Sequence, residues 1–206
     1  MRRMTRHTER GMSLVEASVI LLVLMLLTSV LAPSIYDFVV DARMVKVKED
    51  CEAIGVSVVR LVLDVGTCLK YDGTGACTPA NHVKVLFSRG TNAGWPTAGS
   101  DDMERHLTSN AVHYHLPQWR GAYLPSAIGP DPWGSAYAVN VGSLRPDTPA
   151  ECFVNTVCLS GGPNRTFDTP LTSNINGGLV RGADDFVFVL GGGTCTAQPQ
   201  TQPGCQ

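Results

Sequence analysis

Apolar residues follow two helical patterns along the first third of this chain and a looser pattern after it. From Ala17 to Tyr36 no side chain is charged, and the run AlaSerValIleLeuLeuValLeuMetLeuLeuThrSerValLeuAla leads into Pro33. At a rise of about 1.5 Å per residue, roughly twenty residues of helix cross a bilayer core about 30 Å thick. From Val40 the pattern narrows to a stripe of Val40, Met44, Val47, Cys51, Ile54, Val58, Leu61 and Val65, spaced alternately four and three. Arg43, Lys46, Lys48, Glu49, Asp50, Glu52 and Arg60 fall mainly off that stripe, as on an amphipathic helix. The two patterns predict one helix from Ser13 to Val65, on the order of 80 Å long, bent or divided at Pro33 and stopped at Gly66.

Beyond Gly66 the composition shifts to Gly, Pro, Ser, Thr and Asn, with short β-prone runs. Residues 66–120 read as a long connecting region, with a loosely alternating candidate strand at Asn110–Leu116. Clearer strands are expected at Ala136–Val141, Phe153–Leu159 and Phe186–Leu190, the last an unbroken apolar run of the kind found in buried strands. This length supports one modest core. The expected class is α+β: a long N-terminal helix packed on a small antiparallel sheet domain with long loops.

Charge adds an exclusion and a question. The net charge is −2, and no dense basic patch follows Lys48, so nucleic acid is not an expected partner. The question is Glu16, at the edge of the apolar run, because a carboxylate near hydrocarbon is costly unless partnered. Arg2, Arg3, Arg6 and Arg10 precede it. A secretory signal and a plain anchor with its arginines in the cytoplasm both fit part of this segment. Pro33 after Val30-Leu31-Ala32 is a poor start for a cleaved product, and an anchor needs no glutamate.

Gly11 followed by Met12-Ser13-Leu14-Val15-Glu16 resembles the leader of type IV pilins and type II secretion pseudopilins. The resemblance implies cleavage after Gly11 by a prepilin peptidase and N-methylation of Met12, which stands where the family usually has phenylalanine. It implies assembly roles for Glu16 and Pro33, and a pilin-like fold divided into a leader (1–11), a transmembrane and assembly helix (12–36), an amphipathic helix (37–65) and a sheet domain with variable loops (66–206). Apart from any family, a new α-amino group at Met12 and the helix dipole would both favour an anion one turn along. Pairing that amine with Glu16 of the same or a neighbouring chain would help set the axial register between subunits.

A second resemblance lies downstream. Gly121-Ala122-Tyr123-Leu124-Pro125 and Asp131-Pro132-Trp133-Gly134-Ser135-Ala136-Tyr137 are similar to the signature of the major pseudopilin. As a turn, Pro132 fixes φ, Gly134 permits positive φ, Asp131 accepts backbone hydrogen bonds, and Trp133 is expected to lock the turn onto the helix. The resemblance further implies a Ca2+ loop, with Ser160-Gly161-Gly162-Pro163-Asn164 at its start, Asp184 and Asp185 at its end and Asp168 between. Asn164 replaces the family's aspartate, and Thr166 to Arg181 reads as an insertion. The implied role is a structural subunit of a secretion pseudopilus. Its partners would be copies of itself, minor pseudopilins, an inner-membrane assembly platform and membrane lipid. The location would be single-pass in the inner membrane with the C-terminal domain in the periplasm, and the assembled filament in the periplasm or at the cell surface. A type IV pilus subunit for adhesion, motility or DNA uptake is the nearest alternative, and a membrane-anchored periplasmic binding module or enzyme is a different class.

Seven cysteines in an exported chain imply disulfides. Cys68 and Cys77 flank a short loop and form the best local pair, and Cys195 with Cys205 would staple the tail. Cys51 is expected to be the odd one, buried on the helical stripe as a small hydrophobe. Cys152 and Cys158 cannot pair within one extended strand, where six residues span roughly 20 Å and a bridge needs about 7 Å or less. His106, His113 and His115 lie near Asp101, Asp102 and Glu104, with His113 and His115 expected on one face of a strand. No HExxH helix, cysteine pair or Gly-x-Ser-x-Gly elbow completes a catalytic or zinc site, so scattered loop histidines and a non-enzymatic role are expected.

Overall fold

Two helical stretches with different surroundings share α1, Leu14–Val65. The structure, a computed structural model, describes residues 13–115, 118–145, 154–171, 182 and 184–192. The chain divides into two units, Met1–Met44 and Val45–Gln206. In the first, the helix runs unbroken through Pro33. Nearly all its large apolar side chains are exposed, Leu14, Leu22, Met25, Val30 and Phe38 among them. By length and composition it is apolar enough to cross a membrane. The three hydroxyls within the apolar run between Ala17 and Pro33 are already satisfied. Ser18 Oγ donates to Val15 O at 2.8 Å, Thr28 Oγ1 to Leu24 O at 2.7 Å and Ser29 Oγ to Leu26 O at 2.8 Å. Such back-bonding leaves these three donors with no need of water.

In the second unit the stripe meets a sheet. Val47, Cys51, Ile54, Val58 and Leu61 are buried. The helix ends where Gly66 takes φ +94° and donates its N–H to Val62 O at 2.9 Å. The sheet comprises β1 (Val85–Phe87), β2 (Ser100–Asp102), β3 (Ala138–Asn140), β4 (Asn155–Ser160) and β5 (Phe186–Gly192), in the order β2-β1-β3-β4-β5. Alternation sorts the strand residues into two cores. Leu86, Val139 and Cys158 join the helix face, while Val85, Ala138, Val157 and Leu159 join Ala93, Trp95 and Phe167. With both faces covered, β3 and β4 are buried at every position. On the helix side, Gly55 admits Leu190 of β5, since a Cβ there would overlap that side chain.

Four expectations are corrected. The sheet is mixed, because β1 pairs with β2 in parallel and only the other pairings are antiparallel. The supposed connecting region carries β1, β2 and a short helix, α2 (Met103–Leu107). These elements are too short to show a period. Asn110 to His115 form no strand, since Asn110 and His113 have φ of 48° and 59°. Finally, β5 lies at the sheet's edge with Val189 exposed, so its apolar run does not mark a buried strand.

Cys51 is not the odd cysteine. It is bonded to Cys158, joining α1 to the middle of β4 across 107 residues of sequence. Burial on the stripe holds, but the stripe faces the inward side of β4, where the second sulfur lies. Cys68 and Cys77 are bonded to each other. Cys152, Cys195 and Cys205 lie outside the described residues.

Candidate functional site

Glu16 occupies the first turn of α1 and is exposed. The first turn of a helix presents N–H groups without intrahelical partners, so an anion is favoured there. Ala17 N–H begins the ladder, donating to Ser13 O at 3.0 Å. Gly11 and Met12 lie outside the described residues. Pro33 sits within the same helix, in a stretch of exposed apolar residues on both sides.

The Asp-Pro-Trp-Gly segment forms a closed turn held at both ends. Asp131 Oδ1 accepts the N–H of Trp133 at 3.0 Å and of Ser135 at 2.8 Å. Gly134, with φ +94°, donates to Asp131 O at 2.9 Å, and Asp131 N–H donates to Ser135 O at 2.7 Å. The buried Oδ2 of Asp131 accepts the Ser160 hydroxyl at 2.7 Å, so the turn is fastened to the end of β4. Trp133 stacks on Phe186 of β5, with ring centroids 5.4 Å apart and 8° between planes. Trp133 is thus locked onto the edge strand, and both rings pack against the core that holds the helix stripe.

The loop after β4 brings together Asn164, Asp168 and Asp184. Asn164 Nδ2 donates to Asp168 Oδ2 at 2.8 Å and to Asp184 Oδ1 at 2.7 Å. Asp185 turns elsewhere, accepting Thr169 N–H at 2.5 Å. Burial pushes the Asp185 carboxyl above its ordinary value, the Thr169 donors oppose this, and the charge of Asp168 adds to the rise. Calcium takes six to eight oxygens at about 2.3–2.6 Å. Here the point on which two carboxylates converge is filled by an amide nitrogen, and no three acids, histidines or cysteines among the described residues could hold a metal ion. As arranged, the set does not fit the cation.

His113 and His115 are exposed in the loop after α2, as expected of loop histidines, but His106 is not one of them. His106 is buried on α2, its Nδ1 2.8 Å from Tyr114 Oη and its Nε2 3.1 Å from Asp101 Oδ2. Arg105 Nη1 donates to both oxygens of the same carboxylate at 2.6 and 2.8 Å. Burial raises Asp101, but hydrogen bonds from His106, Arg105 and the Asp102 N–H outweigh it and hold the carboxyl below its usual range. Burial pushes the Tyr114 hydroxyl up. With His106 and Tyr114 almost fully enclosed, this network braces α2 against the following loop. The spacing of Asp101 and Arg105 by four was its one visible sign. Tyr114, reached across a turn with two positive φ angles, gave none.

Compared with known proteins, the chain matches no family model, no curated protein and no solved structure.

Proposed function

We propose that this chain is a structural subunit of a type II secretion pseudopilus, held in a membrane by the N-terminal part of α1 and assembled through it into a filament. The observation that carries this reading is Glu16 in the first turn of a helix whose apolar side chains from Leu14 to Val39 are left exposed. An exposed apolar surface of this extent calls for lipid or for other helices. The carboxylate at its start gives the packing an axial address. An α-amino group at Met12 of a neighbouring subunit would pair with Glu16 only in one register, and any other leaves both charges unpartnered in a medium of low dielectric. Pro33 removes one backbone hydrogen bond and lets the helix yield as it leaves lipid for the bundle.

The Asp-Pro-Trp-Gly turn, fastened to β4 and β5, supports the pseudopilus over other filaments. The two disulfides support instead a type IV pilus subunit, whose surface-exposed filament gains from covalent bracing. In either case, mass spectrometry of the mature protein is expected to find methylated Met12 at the N-terminus. A chain that still begins at Met1, or begins after Ala32, would overturn the filament reading. Loss of secretion, with pili intact, on deletion of the gene would favour the pseudopilus.

A further inference from the structure

Asn164 stands at the meeting point of two carboxylates, and its own hydrogen bonds fix which end of its amide faces them. Nδ2 donates to Asp168 Oδ2 at 2.8 Å and to Asp184 Oδ1 at 2.7 Å, while the backbone N–H donates to Asp184 Oδ2 at 3.1 Å. Oδ1 is turned the other way, accepting Thr166 N–H at 2.8 Å. Flipping the amide would set its oxygen against two anionic oxygens and its NH2 against an N–H, losing three bonds at once. The nitrogen therefore faces the acids, and an amide nitrogen offers a cation no lone pair.

The remaining acid is also engaged by protein donors through Oδ2. Asp185 Oδ2 accepts Thr169 N–H at 2.5 Å, and Gly182 N–H reaches the Thr169 hydroxyl at 3.0 Å. The segment before Phe186 is thereby tied to the loop after β4 by protein donors. Asp168 is exposed, so solvent screens its repulsion from Asp184.

We propose that the Asn164 amide closes this loop in place of a cation, so that the folded domain needs no calcium, and that Asn164→Asp alone would make it calcium-dependent. The aspartate would bring a third carboxylate within about 3 Å of two others. Three like charges at that separation favour protonation or a bound cation, and a carboxylate, unlike the amide, is a ligand for a hard cation. The inference holds whether or not the chain forms filaments.

The test is a set of thermal melts on the full-length protein in detergent, in chelator and in millimolar calcium, with terbium luminescence as a direct readout of cation binding. The natural sequence is expected to melt at the same temperature in both and to give no terbium signal. Asn164→Asp is expected to melt several degrees lower in chelator, to recover in calcium but not in magnesium, and to sensitise terbium. Asn164→Ala, which removes the bridge and adds no charge, is expected to melt lower in both solutions and to ignore calcium. A natural protein that loses stability in chelator and regains it in calcium would overturn the proposal. So would an Asn164→Ala protein as stable as the natural one, or an Asn164→Asp protein indifferent to calcium.

Discussion

Two stretches of α1 are both rich in apolar residues, and they differ in what covers them. From Leu14 to Val39 the apolar side chains surround the helix and remain exposed. From Val47 to Leu61 most of them form one stripe buried against Leu86, Val139 and Cys158, and Val56 and Val59 stay exposed off it. Apolar density thus selects a solvent, and apolar spacing selects a protein partner. The largest effect expected from breaking this contrast is on the buried stripe. Leu61→Ala should destabilise the Val45–Gln206 unit by about 2–5 kcal/mol through a cavity that its neighbours close only partly. Replacing Cys51 and Cys158 together by serine should cost a similar 2–5 kcal/mol. Leu22→Ala should leave the unit's urea midpoint unchanged. Urea unfolding of the three variants in one detergent checks the ordering, and equal losses for Leu61→Ala and Leu22→Ala would erase the distinction.

Glu16→Val reverses the comparison by acting on the exposed stretch alone. The second unit should melt as before, because Glu16 is outside it. Assembly should fall at least tenfold, the equivalent of about 1.4 kcal/mol, since an unpaired amine in hydrocarbon costs more than that. Sedimentation of filaments sheared from cells, set beside a melt of the purified subunit, measures both sides. Filaments at normal yield would remove the register argument.

The contrast within α1 was legible because each half of the helix shows its period over many residues. A stripe spaced four and three predicts burial, and Val47, Cys51, Ile54, Val58 and Leu61 are buried while Met44, on the same stripe, is exposed. What escaped reading were features set by meetings between distant segments. Cys51 and Cys158 are 107 residues apart, and only the sheet's pleat decides that Cys158 faces the helix while Val157 and Leu159 face Trp95 and Phe167. β1 and β2, three residues each, are shorter than the windows in which alternation is recognised. The Asp-Pro-Trp-Gly turn was readable as a turn, yet its anchors, Ser160 and Phe186, come from strands further along. Glu16 stands out on composition alone, as a charge beside a long apolar run, whereas the place of His106 was not legible because its partners lie on either side of a short helix.

A smaller effect is expected where the second unit depends on charge. The folded-state pKa of Asp101 lies below its unfolded value of about 3.9. Its carboxylate therefore contributes stability above about pH 4, and that contribution is lost as pH falls through the lowered folded value. Asp101→Asn should reduce stability at pH 7 by about 1–3 kcal/mol, because it weakens charge-assisted bonds to Arg105 and His106. It should also flatten the acid limb below about pH 4, so that variant and natural protein converge once Asp101 is protonated in the folded state. Urea midpoints across that range decide the point, and parallel acid limbs would mean that Asp101 is not the group that titrates.

Ser57→Ala should have the smallest effect, although the side chain is buried and on the inward face of α1. Its Oγ lies 2.8 Å from Ala53 O and 3.1 Å from Tyr123 O, and one hydroxyl proton serves both. Ala53 O also receives the helix ladder's own bond, so only the weaker bond to Tyr123 O is lost outright. Losing a neutral hydrogen bond costs about 0.5–1.5 kcal/mol. Alanine recovers up to roughly half a kcal/mol through its higher helix propensity. The net loss should stay below about 1 kcal/mol, well short of Leu61→Ala one turn further along. A loss as large as that of Leu61→Ala would mean that the hydroxyl, and not the apolar stripe, holds this part of the helix to the Tyr123 segment.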